Sequence, residues 1–170
     1  LAQGIPKLDK MDFIVQKCTE IGVSGFVPVL TERSVARTSA DSADRRVGRW
    51  QRIASEAAKQ AGRGAVPSVE GIRGLESALS ELASQGMLLI MPWELERERS
   101  LRAALADANF ETGTGIAVIV GPEGGFSHYE VELAKRHGAL TVTLGPRILR
   151  TETAGLAVAT VIMYELGEFG

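Results

Sequence analysis

The chain has 170 residues, 45% of them apolar, with a formal charge of −2, one cysteine and two histidines. These values describe one domain with room for a real core, 1–170. They exclude a disulfide framework, a clustered metal site and a domain that grips nucleic acid by net charge alone. No apolar run reaches the roughly 18 residues that a membrane span needs, and the lone Cys18 fits a reducing, cytoplasmic setting. The chain does not begin with Met, so it reads as part of a longer protein.

In chain order, 1–6 reads as the tail of a strand or as a linker. Over 7–21, Leu8, Met11, Ile14, Val15, Cys18 and Ile21 recur at spacings of three and four, which predicts a helix that Gly22 closes. A short strand follows at 26–30, weakened by Pro28. A second helix is predicted over 42–61, with Val47, Trp50, Ile53, Ala54, Ala57 and Ala58 inward and Gly62, Gly64 and Pro67 ending it. A brief strand at 69–72 and a short helix at 75–83 come next. The run Met87-Leu88-Leu89-Ile90-Met91 is a strand buried on both faces, stopping at Pro92. A short helix at 101–106 and a loop at 109–115 lead to another apolar strand at 116–120. Ser127 and Glu130 form a capping box for a helix that stops at Gly138. After a strand at 140–144, a helix from Thr151 is apolar nearly all round, so it is buried on more than one side, in part by a second subunit. Strands alternating with helices give an α/β fold with a mainly parallel sheet flanked by helices.

Charge is uneven along this path. Eight basic residues and four acidic ones lie between Thr31 and Ala65, so that segment carries +4 and the remainder −6. Such a stripe either lies along phosphates or is a solvated helix face.

Two glycine-bearing loops end neighbouring strands and open helices, the place where open α/β sheets hold ligands. The first, Gly121-Pro122-Glu123-Gly124-Gly125, has neither phosphate-loop spacing, and its internal acid repels a phosphate. Glu123 suits an ammonium or sulfonium, or else it serves the helix N-terminus. The glycines let main-chain groups read the edge of a flat ring. In the second loop Arg147 and Arg150 flank Ile148 and Leu149, suiting a phosphate or a developing oxyanion. Thr151 and Thr153 are candidate helix caps.

The strings VGPEGGFS (120–127) and LGPRILRTETA (144–154) resemble the paired signatures of the ribosomal RNA small subunit methyltransferase E family, in the SPOUT class. The likeness extends through Lys10-Met11-Asp12-Phe13, Ile21-Gly22-Val23, Glu32-Arg33, and Trp50, Glu56, Gln60, Gly62 and Arg63, covering essentially the whole chain. The resemblance implies a deep C-terminal trefoil knot, a homodimer, and methyl transfer from S-adenosyl-L-methionine to N3 of a uridine in 16S rRNA of the small ribosomal subunit. The family's small N-terminal RNA-binding barrel is not represented. By similarity the methyl donor is held by Met91 and Pro92, by Gly121, Pro122, Glu123 and Gly124, and by Leu144, Gly145, Ile148, Leu149, Arg150 and Thr151. Arg150 or Arg147 is then the stabiliser of the uracil charge. Glu152 is a candidate proton acceptor or else a structural ion pair. Arg33, Arg49, Arg52, Lys59 and Arg63 are expected on RNA phosphates. No metal and no membrane contact are expected. Two other readings are a non-catalytic RNA-binding or ribosome-assembly module on the same fold, and a nucleotide-phosphate enzyme. A titration with S-adenosylmethionine separates all three.

Overall fold

The computed structural model describes residues 1–34, 40–107 and 115–169. Most of the predicted 109–115 loop and Arg37 of the basic segment lie outside the described residues. The elements in order are β1 (Ala2–Gly4), α1 (Lys10–Glu20), β2 (Gly25–Leu30), α2 (Ala40–Gln60), β3 (Ser68–Val69), β4 (Arg73–Gly74), α3 (Leu75–Ser84), β5 (Leu88–Pro92), α4 (Leu101–Asp107), β6 (Ile116–Val120), α5 (His128–Arg136), β7 (Leu140–Val142) and α6 (Thr151–Glu165).

The strands form one sheet in the order β3-β2-β1-β6-β5-β7, with β4 also on β2. Its pairs are all parallel. Alternation along the buried strands sorts their side chains to two faces. Leu89, Met91, Ala117 and Ile119 pack with α3 and α5. Ile90, Val118, Val120 and Val142 pack with α4 and α6. On that second face, the β1–β3 half is covered by α1 and α2 through Ile14, Val15, Cys18, Phe26, Trp50 and Ala54. The burial of Cys18 pushes its thiol up to about 12, so it behaves as an apolar core residue. No described helix is long and apolar enough to cross a membrane.

Three elements sharpen or depart from the sequence expectation, and for the first of them the strand alternative holds over the linker. The first residues are an interior strand: Ala2 and Gln3 pair with Ile119 and Val120 on one side and with Val27 and Pro28 on the other. Ala-Gln-Gly has no apolar alternation of its own, so only its neighbours reveal it. The expected strand at 69–72 is split into β3 and β4, both on β2. Pro28 falls opposite that break, where no donor is required of it. The last predicted strand ends at Val142, and Thr143 is left as an isolated bridge to Ser100. Along α6, Ala154, Gly155, Val158, Ala159 and Ile162 are buried, while Val161, Tyr164 and Phe169 beyond it are exposed at 40%, 69% and 51%.

Candidate functional site

Loops at the carboxyl ends of β5, β6 and β7 enclose an open cleft of about 1020 Å³. Its walls are Pro92, Trp93, Glu94 and Arg97 after β5, residues 121–125 after β6, and residues 143–151 after β7, with Lys10 from the start of α1. Each loop is fixed by a different device. After β5, the Glu96 carboxylate accepts from the Thr141 hydroxyl at 2.7 Å and from the amides of Arg97 and Glu98, both at 2.9 Å. These donors, Thr141 first, pull its carboxyl down to about 2. Because that value is depressed, the ordering it contributes is complete above the ordinary glutamate value near 4.3 and is lost as pH falls through about 2. Trp93 fluorescence should therefore report an intact loop at pH 4.5 and a loosened one at the same pH after Glu96→Ala.

After β6, Gly125 takes φ +65° and closes a turn with its amide on the Pro122 carbonyl at 2.9 Å. The positive φ is what requires glycine here; a Cβ would also lie 2.8 Å from the Glu94 carboxylate, the movable end of an exposed side chain. The capping box at the head of α5 is complete, with Ser127 and Glu130 serving each other's amides. The other oxygen of Glu130 accepts from the Glu32 amide at 2.9 Å and ties in the segment after β2.

The head of α6 is anchored at the middle of the sheet. Thr151, buried, donates its hydroxyl to the Gly121 carbonyl at 2.6 Å and accepts from Gln3 Nε2 at 2.9 Å. It is the first residue of α6 after the Arg150 cap, and no side chain caps that helix. Thr151 thus joins β1, β6 and α6.

The sequence-derived residues fall into distinct places. Pro92, Gly121, Pro122, Glu123, Gly124, Leu144, Gly145, Ile148, Leu149, Arg150 and Thr151 line the cleft together with Arg147. Met91 lies one residue behind the wall, its side chain fully buried against α3 and α5. Arg147 and Arg150 are exposed at the mouth. Glu123 is already engaged: its carboxylate accepts from the Lys7 amide at 3.1 and 3.2 Å and pairs with the Lys10 ammonium at 3.1 Å. Glu152 sits behind the same ammonium, 3.2 Å from it, with that oxygen shielded from solvent and off the line of a hydrogen bond. Burial raises both carboxyls, but backbone amides and Lys10 outweigh it and hold both below the ordinary range. Lys10 is raised in turn, by Glu123 first and then Glu152.

The five expected RNA cations do not form one uniform row. Arg33 reaches the site and donates to the Gly124 carbonyl at 2.6 Å. Arg49, Arg52 and Lys59 share the exposed outer face of α2, and Arg49 pairs with Asp12. Arg63, beyond the turn at Gly62, donates to the carbonyls of Thr19, Val23 and Gly22 at 2.9, 2.7 and 3.1 Å, closing the carboxyl end of α1. Sequence reasoning gave no role to Lys10, Gln3, Glu94 or Arg97, whose partners are remote in the chain. No group of potential metal ligands is found among the described residues.

A family model described as an RNA methyltransferase domain matches residues 1–163. The chain is 35% identical over 166 residues to the ribosomal RNA small subunit methyltransferase E of Bacillus subtilis, covering 97% of this chain and 65% of that protein. Among solved structures it resembles a ribosomal RNA small subunit methyltransferase E from Neisseria gonorrhoeae bound to S-adenosyl methionine, with TM-score 0.83 and 39% identity over 96% of this chain and 64% of that one. It also resembles a putative methyltransferase from Legionella pneumophila in complex with the same cofactor, with TM-score 0.81 and 30% identity over 96% and 64% of the two chains. This chain therefore spans just under two thirds of the length of these relatives. On the strength of the match over nearly its whole length, the chain belongs to the RNA methyltransferase domain family.

Proposed function

We propose that the protein binds S-adenosyl-L-methionine in the cleft and methylates N3 of a uridine in 16S rRNA of the small ribosomal subunit. The observation that carries this reading is the cleft itself: three loops at the carboxyl edge of a parallel sheet, in a chain similar to two structures that hold this cofactor. The residues suit the ligand. Leu144, Ile148 and Leu149 offer apolar walls to a ring, and the glycine main chain at 121–125 allows close approach to its edge. The bound donor supplies an electrophilic methyl carbon next to a positive sulfur. The chain's own part is to hold the uracil in line with that carbon, exclude competing water and face the charge that spreads onto the uracil oxygens. Arg147 and Arg150 at the mouth meet the RNA and contribute to that charge balance.

Two further parts of the reading concern architecture. The β7–α6 segment returns from the sheet edge to its middle, where Thr151 is bonded to Gly121 and Gln3, and this path supports a C-terminal trefoil knot of the SPOUT type. The exposed Val161, Tyr164 and Phe169 support a homodimer that covers the end of α6 in the cytoplasm.

Calorimetric titration tests the function. Saturable binding of S-adenosylmethionine is expected, with no heat from ATP or GTP; no response to the first would sink the proposal. Binding to a 16S rRNA fragment should weaken with salt, with a log–log slope near −2 to −3 if the three outer cations of α2 lie on phosphates. A flat response would remove them from the interface.

A further inference from the structure

Lys10 is a cation inside the cleft, clamped on two sides. Its ammonium lies 3.1 Å from Glu123 on the β6–α5 loop and 3.2 Å from Glu152 on α6. Both carboxylates are themselves held, Glu123 by the Lys7 amide and Glu152 by its place in the first turn of α6. An ammonium carries three donors. The two ion pairs hold the ammonium at the wall of the cleft that Lys10 lines, where it can donate to a ligand oxygen. Arg147 and Arg150 are exposed at the rim instead, where a flexible side chain must be ordered before it can act. Stabilisation of developing charge is strongest from a group that is already oriented.

We propose that Lys10 is a catalytic residue, donating a hydrogen bond to a uracil carbonyl oxygen as negative charge develops on it, with Glu123 and Glu152 as the positioning residues that aim it. This rests on the uridine reading above. In the step, the N3 proton leaves to water in the open cleft. The N3 electron pair forms the bond to the methyl carbon while the carbon–sulfur bond breaks, its pair staying on a now neutral sulfur. Lys10 keeps its proton throughout and faces the charge shared between N3 and the carbonyl oxygens. The charged groups around it are Glu123 and Glu152, with Arg150 acting on Glu152 and with Glu94 and Arg97 on the opposite wall.

Two measurements on Lys10→Met and Lys10→Arg test the assignment. The first needs no methyl donor. The probe is 5-nitrouridine 5′-phosphate, whose N3 ionises near neutrality. It should bind the wild type at least about fivefold more tightly once ionised, a preference that Lys10→Met abolishes and Lys10→Arg retains in part. The second is methyl transfer to 16S rRNA fragments, with the product nucleoside identified by mass spectrometry. Lys10→Met should lose about 10²-fold or more in rate while its affinity for S-adenosylmethionine stays within threefold. The deficit should shrink on RNA carrying 5-fluorouridine, whose N3 proton is more acidic. Equal binding of neutral and ionised probe by the wild type overturns the proposal, as does transfer by Lys10→Met within a few-fold of wild type. A loss that 5-fluorouridine leaves untouched also overturns it, since it would mark Lys10 as merely structural. Failure of the uridine reading looks different: the wild type itself would form no N3-methyluridine, and the probe titration would still judge Lys10.

Discussion

Gly4→Ala should destabilise the protein by about 1–3 kcal/mol and weaken binding of S-adenosylmethionine at least about tenfold, equivalent to roughly 1.4 kcal/mol. A Cβ at Gly4 would lie 2.7 Å from Pro122 Cδ and 2.8 Å from Pro122 N. Neither atom belongs to the far end of a flexible chain. Pro122 is pinned by its ring and by the turn it makes with Gly125, and Gly4 by parallel pairing with Val29. One of the two must move. Moving β1 disturbs the middle of the sheet, whereas moving Pro122 displaces the loop that lines the cleft. The two costs differ in what they report, so both should be measured, one by urea denaturation and one by calorimetry. Unchanged affinity with lowered stability would show that the strand yields and the loop does not.

Thr151→Val is expected to cost about 1–3 kcal/mol in stability, with cofactor affinity falling as well. Valine keeps the volume and removes the hydroxyl, so the half-buried Gly121 carbonyl at 2.6 Å and the buried Gln3 Nε2 at 2.9 Å lose a partner together. Gln3 is fully buried and one of its side-chain atoms, Oε1, already lacks a hydrogen-bond partner. Gln3 Nε2 keeps its bond to the Gly4 carbonyl at 2.9 Å and lies 3.4 Å from the Gly121 carbonyl, a long contact that offsets only part of the loss. Thr151→Ser retains the hydroxyl and should recover most of the loss, provided the smaller side chain leaves no sizeable void. If valine and serine behave alike, the hydrogen bonds are not what secures α6. Equilibrium unfolding of the three proteins decides between these outcomes.

Much of the scaffold was legible because its signals are local. The uninterrupted run at 87–91 announced a strand buried on both faces, and the structure sends Leu89 and Ile90 to opposite cores. Ser127 and Glu130 announced a helix start from three residues of spacing. The two glycine loops could be found for the same reason, since a turn and a helix head are written in adjacent residues. What was hidden depends on distance along the chain. β1 carries no periodicity and acquires its identity from β2 and β6. Lys10 reads in sequence only as the polar start of a helix, because the acids that clamp it lie far along the chain, Glu123 in the β6–α5 loop and Glu152 in the first turn of α6. Arg63 has the spacing of the α2 stripe, yet the turn at Gly62, with φ +66°, carries it to the carbonyls that end α1. Spacing describes a regular helix and loses its force one residue past its end.

Folding of this sheet is slow by construction. Its central pair joins Ala2 and Gln3 to Ile119 and Val120, and the Gln3–Thr151 bond spans 148 positions. Chain entropy must be lost over these separations before any contact returns free energy, which places the domain among high-contact-order topologies. Helices and the β5–β6 pair can assemble early, whereas the cleft requires β1, β6 and the head of α6 to be in place at once. Stopped-flow refolding should therefore show helical ellipticity returning well before the ability to bind S-adenosylmethionine. A newly made chain would pass through a stage that is largely structured but has no cleft, and ligand present at that stage would trap only molecules that have completed the last step.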